Sequence, residues 1–354
     1  MDTKIISLSK IEAKKGMELV MKDIPSIKDD EILVKVLAAS VCGTDVHIYT
    51  WDNWAQNRIK HIPQTMGHEL AGEVVKIGSR VTSLKLGDIV SAETHIVCNE
   101  CEFCLTGRSH ICKNTSVLGV DRDGAFAQFI AIPATNAWKN DPSIPPEYLS
   151  IQEPLGNAVH TVLAQDVIGK TVAVVGVGPI GIMAVDVAKA VGAARVIAID
   201  VNEYRLNLAK KIGADICLNA LDKDLVQHVL DLTDGAGVDV VCEMSGNGIA
   251  LNQALDYLKL GGHLSILGVP TKKIEIDVAN HIVFKGITIH GITGRKMYET
   301  WYQVKGLIQS GKLHLEDIVT HKLHYSEYQK AMELMESGNC GKIVLMFNQE
   351  NNND

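Results

Sequence analysis

No block of lysine and arginine runs through this 354-residue sequence, and its 34 basic residues are outnumbered by 42 acidic ones, for a net charge of −8. That balance argues against nucleic acid or an anionic membrane surface as a partner. The opening "MDTKIISLSKIEAKKG" has no apolar core of signal-peptide length. The most apolar stretch, Val172 to Ile199, is too interrupted to span a bilayer: Asp186, Lys189 and Arg195 fall inside it, and Gly178-Pro179 would break it early. A cytoplasmic protein with no membrane partner is therefore expected. Internal repeats and low-complexity linkers are also missing, and the polar tail "NQENNND" reads as frayed.

What is present fits two globular domains: the length suggests that number, and 46% apolar residues can fill two cores. Eight cysteines without a secretory signal point to metal binding or catalysis rather than disulfides. Four are clustered in "CNECEFCLTGRSHIC", Cys98, Cys101, Cys104 and Cys112, with spacing C-x2-C-x2-C-x7-C. Four thiolates so placed can close a tetrahedral shell around one structural zinc and leave no open position. Iron–sulfur clusters also use short cysteine spacings, but no Cys-Pro follows the last cysteine and nothing nearby suggests electron transfer. Cys217, Cys242 and Cys340 lie in apolar stretches and read as core residues.

The first 150 residues look β-rich. "EILVKVLAAS", "HELAGEVVKIG" and "DIVSAET" are short β-type runs cut by glycine and aspartate. From residue 170 strands and helices alternate. "TVAVV", "RVIAID", "ICL", "VDVVCEM", "HLSILG" and "ITIHGI" are six strand candidates, and Ile180, Met183, Ala184, Val187, Ala188 and Val191 form one apolar helix face. That alternation predicts a doubly wound parallel sheet. The expected division is a parallel-sheet domain over 156–292 and a β-rich domain built from 1–155 and 293–354, with the four-cysteine lobe at 95–115. The helix in "MYETWYQVKGLIQSG" is thus assigned to the β-rich domain, because six strands already complete the sheet.

"GVGPIG" supplies Gly176, Gly178 and Gly181 in a G-x-G-x-x-G loop between a strand and a helix, and Asp200 follows nineteen residues later at a strand end. This is the context of a dinucleotide site. Gly176 allows the tight turn, Gly178 lets the backbone approach a pyrophosphate at the helix N-terminus, and Gly181 allows close helix–strand packing. Asp200 would accept hydrogen bonds from ribose hydroxyls and repel a 2′-phosphate, which favours NAD over NADP. Arg205 works the other way, since it could pair with such a phosphate.

Cys42 in "SVCGTDVHIY", His68 and Glu69 in "GHELAGEV" and Glu153 in "QEPLGNAVH" offer the thiolate, imidazole and carboxylate that zinc accepts. Taken singly, each is also what a polar loop would carry. Together with the four-cysteine lobe and the glycine loop, in this order, they resemble the zinc-containing medium-chain alcohol dehydrogenases over essentially the whole chain. "CGTDVHIYTWDNWAQNRIK", "QEPLGNAVHT" and "GITGRKMYETW" are similar to the branch of that family that oxidises the 3-hydroxyl of L-threonine with NAD to 2-amino-3-oxobutanoate. The resemblance implies a GroES-like catalytic domain, a Rossmann domain, two zinc ions per subunit and a homotetramer. It also implies a proton relay through Thr44 and His47. Expected dinucleotide contacts further include Pro179, Ile180, Arg205, Leu267, Gly268, Val269, Ile292 and Thr293.

A charge problem accompanies the catalytic set. Cys42, Glu69 and Glu153, all ionised, place −3 around a +2 ion, so one glutamate is expected to stand off the metal in the working state. Arg295, Glu153, Asp52 and Glu299 are candidates for holding the ends of an amino-acid substrate, with a solvated surface role equally open for Arg295. Two readings compete with threonine oxidation. One is a polyol or secondary-alcohol dehydrogenase of the same fold; the other is a non-catalytic nucleotide sensor, which would need only the zinc of the cysteine lobe.

Overall fold

The computed structural model describes residues 4–347. The frayed reading of the tail lies outside them. The chain forms two compact units. The first comprises the residues up to Glu153 with Val319–Ser337 and the segment from Lys342 on; the second comprises Pro154–Ile318 and Gly338–Gly341. No helix among the described residues is long and apolar enough to cross a membrane.

The first unit is built on a largely antiparallel sheet. Its spatial order is Ala137–Lys139, Ile89–Ala92, Glu69–Ile77, Glu31–Ser40, Lys342–Met346 and Val319–His324, with Phe129–Pro133 also pairing with Glu31–Ser40. The last two strands of that order run parallel to each other. A smaller sheet joins Glu18–Asp23, Lys4–Lys10 and Gln64–Thr65. Strand Glu31–Ser40 is buried along nearly its whole length because it lies inside the sheet with both faces covered, so the polar alternation of a half-exposed strand is absent. Ile32, Val34, Val36, Leu70, Val74 and Val90 make the core there, each contributing about 1.5–3 kcal/mol. Register sets the site: Ser40 lies opposite Glu69 on one side and Val344 on the other.

The second unit is a six-stranded, wholly parallel sheet. The order is Ile216–Asn219, Arg195–Asp200, Thr171–Val175, Val238–Glu243, Leu258–Ile266 and Thr288–Gly291. All six expected strands are present, in the Rossmann order. Ala173, Val175, Ile197, Ile199, Val241 and Leu264 bury the sheet against Leu251 and Leu255 of helix Gly248–Tyr257 and Val229 of helix Leu225–Asp231. The chain reverses its direction of travel at Thr171–Val175, and the crevice beyond the C-terminal ends of the strands at such a point is where open α/β sheets bind ligands.

Two expectations are corrected. The return to the first unit comes at Val319 rather than 293, and the first crossing at 153/154 rather than 155/156. Residues 293–318 stay with the parallel sheet because they are tied to it. The Gly294 carbonyl accepts from His160 Nδ1 (2.8 Å), Lys211 pairs with Asp317 (2.6 Å), and His314 bonds Asp186 through its ring and its backbone N–H (both 2.8 Å). Helix Leu315–Ile318 packs on helices Pro179–Ala190 and Glu203–Ile212. The apolar face expected on Pro179–Ala190 is also too narrow: residues 181–188 are buried all round, Asp186 included, and His314 is what makes that burial tolerable.

Candidate metal and dinucleotide sites

Cys98, Cys101, Cys104 and Cys112 converge in the first unit. The short helix Glu102–Leu105, the turn Ser109–Ile111 and the hairpin His95–Ile96 with Ser116–Val117 carry them. Their sulfurs lie 3.4–3.9 Å apart for the Cys98–Cys112, Cys101–Cys104 and Cys101–Cys112 pairs. Zinc–sulfur bonds of about 2.3 Å in a tetrahedron put sulfurs about 3.8 Å apart, so the spacing fits zinc. Backbone N–H groups of Cys98 and Asn114 point at the Cys112 sulfur (3.4 and 3.3 Å). Similar bonds from the Cys104 and Lys113 backbone favour the Cys101 thiolate, lowering its pKa to about 6.

The second cluster joins Cys42, His68 and Glu69, whose ligand atoms all lie within 4.8 Å of one another. Cys42 is the N-cap of helix Gly43–Thr50, just past strand Glu31–Ser40, and Glu69 opens the neighbouring strand. His68 follows Gly67, which has φ +84° and no room for a side chain: a Cβ there would lie 2.3 Å from the Phe126 ring. The buried Glu69 Oε1 has no hydrogen-bond partner, and neither has His68 Nδ1. An oxygen so placed costs free energy unless a cation meets it, and thiolate, imidazole and carboxylate are the donors zinc takes. The residues therefore fit the metal. Burial alone would push the His68 pKa down, but negative charge on Cys42, Asp45 and Glu153 outweighs it and raises the value to about 10. The pocket is one that draws positive charge.

Glu153, on the first turn of helix Gln152–Val162, is 5% exposed and belongs to the same electrostatic neighbourhood, but it is not among the three converging ligands. Three residues that the sequence reading left without a role complete the site. Lys342, 1% exposed, sets its Nζ 2.5 Å from Glu69 Oε2 and 2.7 Å from the Val41 carbonyl. The Ser40 hydroxyl donates to the same Glu69 oxygen. Asp45, fully buried, accepts the Cys42 N–H through Oδ2 (2.9 Å) and has Oδ1 3.9 Å from His68 Nδ1. The one signal for Lys342 was a lysine opening the apolar run "KIVLMF".

Thr44 and His47 lie on helix Gly43–Thr50, with Thr44 partly buried and His47 exposed. His47 Nδ1 is 2.5 Å from Asp52 Oδ2. Asp52 is thereby committed to His47 and to capping helix Asn53–Arg58, where it accepts the Ala55 N–H (3.0 Å). Glu299 is exposed at the start of helix Glu299–Gln309. Arg295 is not a surface arginine: it is 1% exposed, packs where a Cβ on Gly156 would fall, and donates to Asn157 Oδ1 (3.1 Å).

In the second unit the glycine loop has the required shape. Gly176 has φ +86°, and a Cβ there would lie 2.7 Å from Ser245. A Cβ on Gly181 would lie 2.0 Å from the Gly176 carbonyl, whereas one on Gly178 would meet only Arg205, at 3.7 Å. The first and third glycines thus serve packing and the second leaves open space at the N-cap of helix Pro179–Ala190, where Pro179 and Ile180 begin the first turn. Asp200, 6% exposed, accepts N–H groups from Val177 (2.8 Å) and Asn202 (2.9 Å), which fixes its carboxylate at the rim. Arg205 Nε donates to the Gly338 carbonyl (3.0 Å). A cavity of about 390 Å³ is lined by Gly176, Gly178, Asp200, Arg205 and Ser245. Leu267, Gly268 and Val269 follow strand Leu258–Ile266, and Ile292 and Thr293 follow Thr288–Gly291, so parallel strand direction brings all five to the same sheet edge.

The chain matches the zinc-binding dehydrogenase family over residues 179–310 and the alcohol dehydrogenase GroES-like domain over 28–145. It is 56% identical to the L-threonine 3-dehydrogenase of Caldanaerobacter subterraneus subsp. tengcongensis, over 98% of this chain and 99% of that one. Against the enzyme of the same name from Pyrococcus furiosus the identity is 50%, covering 98% and 100%. Among solved structures, an E. coli CFT073 alcohol dehydrogenase complexed with NADH superposes with TM-score 0.88 at 26% identity, covering 98% and 100%. The 2R,3R-butanediol dehydrogenase of Bacillus subtilis gives TM-score 0.88 at 25% identity, covering 97% and 100%.

Proposed function

Since the chain belongs to the L-threonine 3-dehydrogenase family of zinc-binding dehydrogenases, we propose that it oxidises L-threonine at its 3-hydroxyl with NAD, giving 2-amino-3-oxobutanoate, NADH and a proton. The observation that carries this reading is identity above one half with an enzyme of that name, over nearly the full length of both chains. The competing polyol and secondary-alcohol readings draw on solved structures such as a galactitol-1-phosphate dehydrogenase and a 2R,3R-butanediol dehydrogenase, at 27% and 25% identity.

Cys42, His68 and Glu69 would hold the catalytic zinc, with Glu153 beside them, and Cys98, Cys101, Cys104 and Cys112 the structural one. Zinc supplies Lewis acidity toward a hydroxyl oxygen, the effect that takes water's pKa from about 16 to about 7. NAD supplies the hydride acceptor. Lys342 donates to Glu69 Oε2 and leaves Oε1 as the free donor oxygen. Its charge also offsets one of the carboxylates, which eases the overneutralisation expected from three anionic ligands. Gly176 and Gly178 admit a pyrophosphate to the helix N-terminus, while Asp200 accepts from ribose hydroxyls and repels a 2′-phosphate. The substrate proton leaves through the Thr44 hydroxyl to His47 Nε2, and the imidazole passes it to water. Arg295 stands as a candidate for an anion, now as a buried guanidinium rather than a solvated one.

The reading includes a homotetramer in the cytoplasm. Self-association is supported by exposed apolar side chains beside the edge strand Thr288–Gly291, with Val283 65% and Phe284 75% exposed. A reducing compartment is supported by the thiolate layout of the cysteine lobe. Mass measurement in solution tests the assembly. For the activity, NADH formation is followed with L-threonine, sorbitol and 2,3-butanediol as alternatives. L-Threonine should lead in kcat/KM by about 10⁴-fold if the site pairs both charged ends of the substrate. Sorbitol or butanediol in the lead would overturn the substrate and leave the family.

A further inference from the structure

We infer that Asp52 is a positioning residue for the proton relay, holding the His47 imidazole in the tautomer that carries its proton on Nδ1. The inference rests on the relay role proposed above for His47. A turn through Trp51, with φ 58°, reverses the chain after helix Gly43–Thr50 and brings Asp52 back to the imidazole. The carboxylate is then divided: Oδ2 meets His47 Nδ1 at 2.5 Å, and Oδ1 accepts the Ala55 N–H at 3.0 Å. An ionised carboxylate only accepts, so Nδ1 must donate, and the lone pair of the neutral ring falls on Nε2. That is the state able to take a proton, and the imidazolium formed by taking it is paired at once.

Burial works against the charge of Asp52, but the Ala55 N–H and His47 outweigh it and hold its pKa below the usual value. The Trp54 ring lies 5.7 Å from the imidazole, which limits the ring's freedom to turn. Helix Tyr328–Ser337 also packs on the His47 helix. Its Glu336 is paired with Lys15 (2.9 Å), and the Tyr328 hydroxyl donates to the Met17 carbonyl (3.1 Å). Asp52 is therefore the ionised group in contact with the ring among the described residues. Both partners are more than one-third exposed. Exposed ion pairs contribute little to folding, so a stabilising role does not account for the pair.

The test is Asp52→Asn. Asparagine caps helices as well as aspartate. With its oxygen on the Ala55 N–H, its amide would face Nδ1, force that nitrogen to accept and move the ring proton to Nε2. The expected result with zinc-loaded enzyme is an unchanged melting temperature, KM for L-threonine within about threefold, and kcat about 10–100-fold lower near pH 7, recovering toward alkaline pH. Asp52→Glu should restore part of the loss, and adding D52N to His47→Asn should cost nothing more. Nitrogen-15 spectra of the histidines, with the His47 signals identified by their loss in H47N, should show Nδ1–H in the wild type and Nε2–H in D52N. If H47N is slow but D52N keeps the wild-type pH profile, the role of Asp52 is overturned and the relay stands. If H47N itself keeps full activity, both fall. Should D52N melt early, the wild-type spectrum decides, and Nε2–H there overturns the inference.

Discussion

Lys342→Met removes the buried cation beside Glu69 and leaves a shape that still fills the space. Both partners are essentially without solvent, at 1% and 0% side-chain exposure, and 2.5 Å apart. Deleting one member of such a pair costs about 3–5 kcal/mol, because the other charge stays buried without compensation. The Ser40 hydroxyl still donates to Glu69, so the middle of that range applies, about 4 kcal/mol. At a urea slope of about 3 kcal/mol per molar, that is a midpoint shift of about 1.3 M in the transition of the first unit. Zinc should shrink the deficit, since a metal on Glu69 Oε1 restores positive charge beside the carboxylate. The assay is urea unfolding of metal-free and zinc-loaded protein, wild type and variant. A variant within about 0.5 kcal/mol of wild type in the metal-free state near neutral pH would refute the reasoning, whatever its activity.

Cys104→Ser should lower the melting temperature and reduce bound zinc from two ions per chain to one, and elemental analysis beside a thermal melt checks both. Asp200→Asn removes the charge facing a ribose 2′-position but keeps one acceptor for the loop amides. The ratio of kcat/KM with NADP to that with NAD should rise about 10–100-fold, and an unchanged ratio would remove Asp200 from cofactor selection. Gly181→Ala forces a methyl to within 2.0 Å of the Gly176 carbonyl. It should cost about 1–3 kcal/mol and weaken NAD binding by at least about tenfold, measured by calorimetric titration, while zinc content stays at two.

The parts of this protein that were legible in the sequence are those whose geometry is local. Four cysteines within fifteen positions can reach one ion whatever surrounds them, and the spacing alone limits how they do it. The glycine loop and Asp200 are a strand, a turn and a strand end, so chain continuity places them. The central strands Thr171–Val175, Arg195–Asp200 and Val238–Glu243 announced themselves because parallel strands buried on both faces are continuous apolar runs. Cys42, His68 and Glu69 needed more: each is an ordinary loop residue until strand register puts Ser40 opposite Glu69. Tertiary structure alone decided the rest. Lys342 and Glu69 are 273 positions apart, and Asp186 and His314 are 128 apart. A charged residue in an apolar run looks like an interruption until its partner is known, and the partner arrives only through packing. The boundary at Val319 was hidden for the same reason, since helices reveal their apolar faces but not which sheet will cover them. Even at short range the sequence, which marked Asp52 only as a candidate for the substrate's charged ends, did not show it against His47: five residues separate them, but only the left-handed turn at Trp51 brings the carboxylate onto Nδ1.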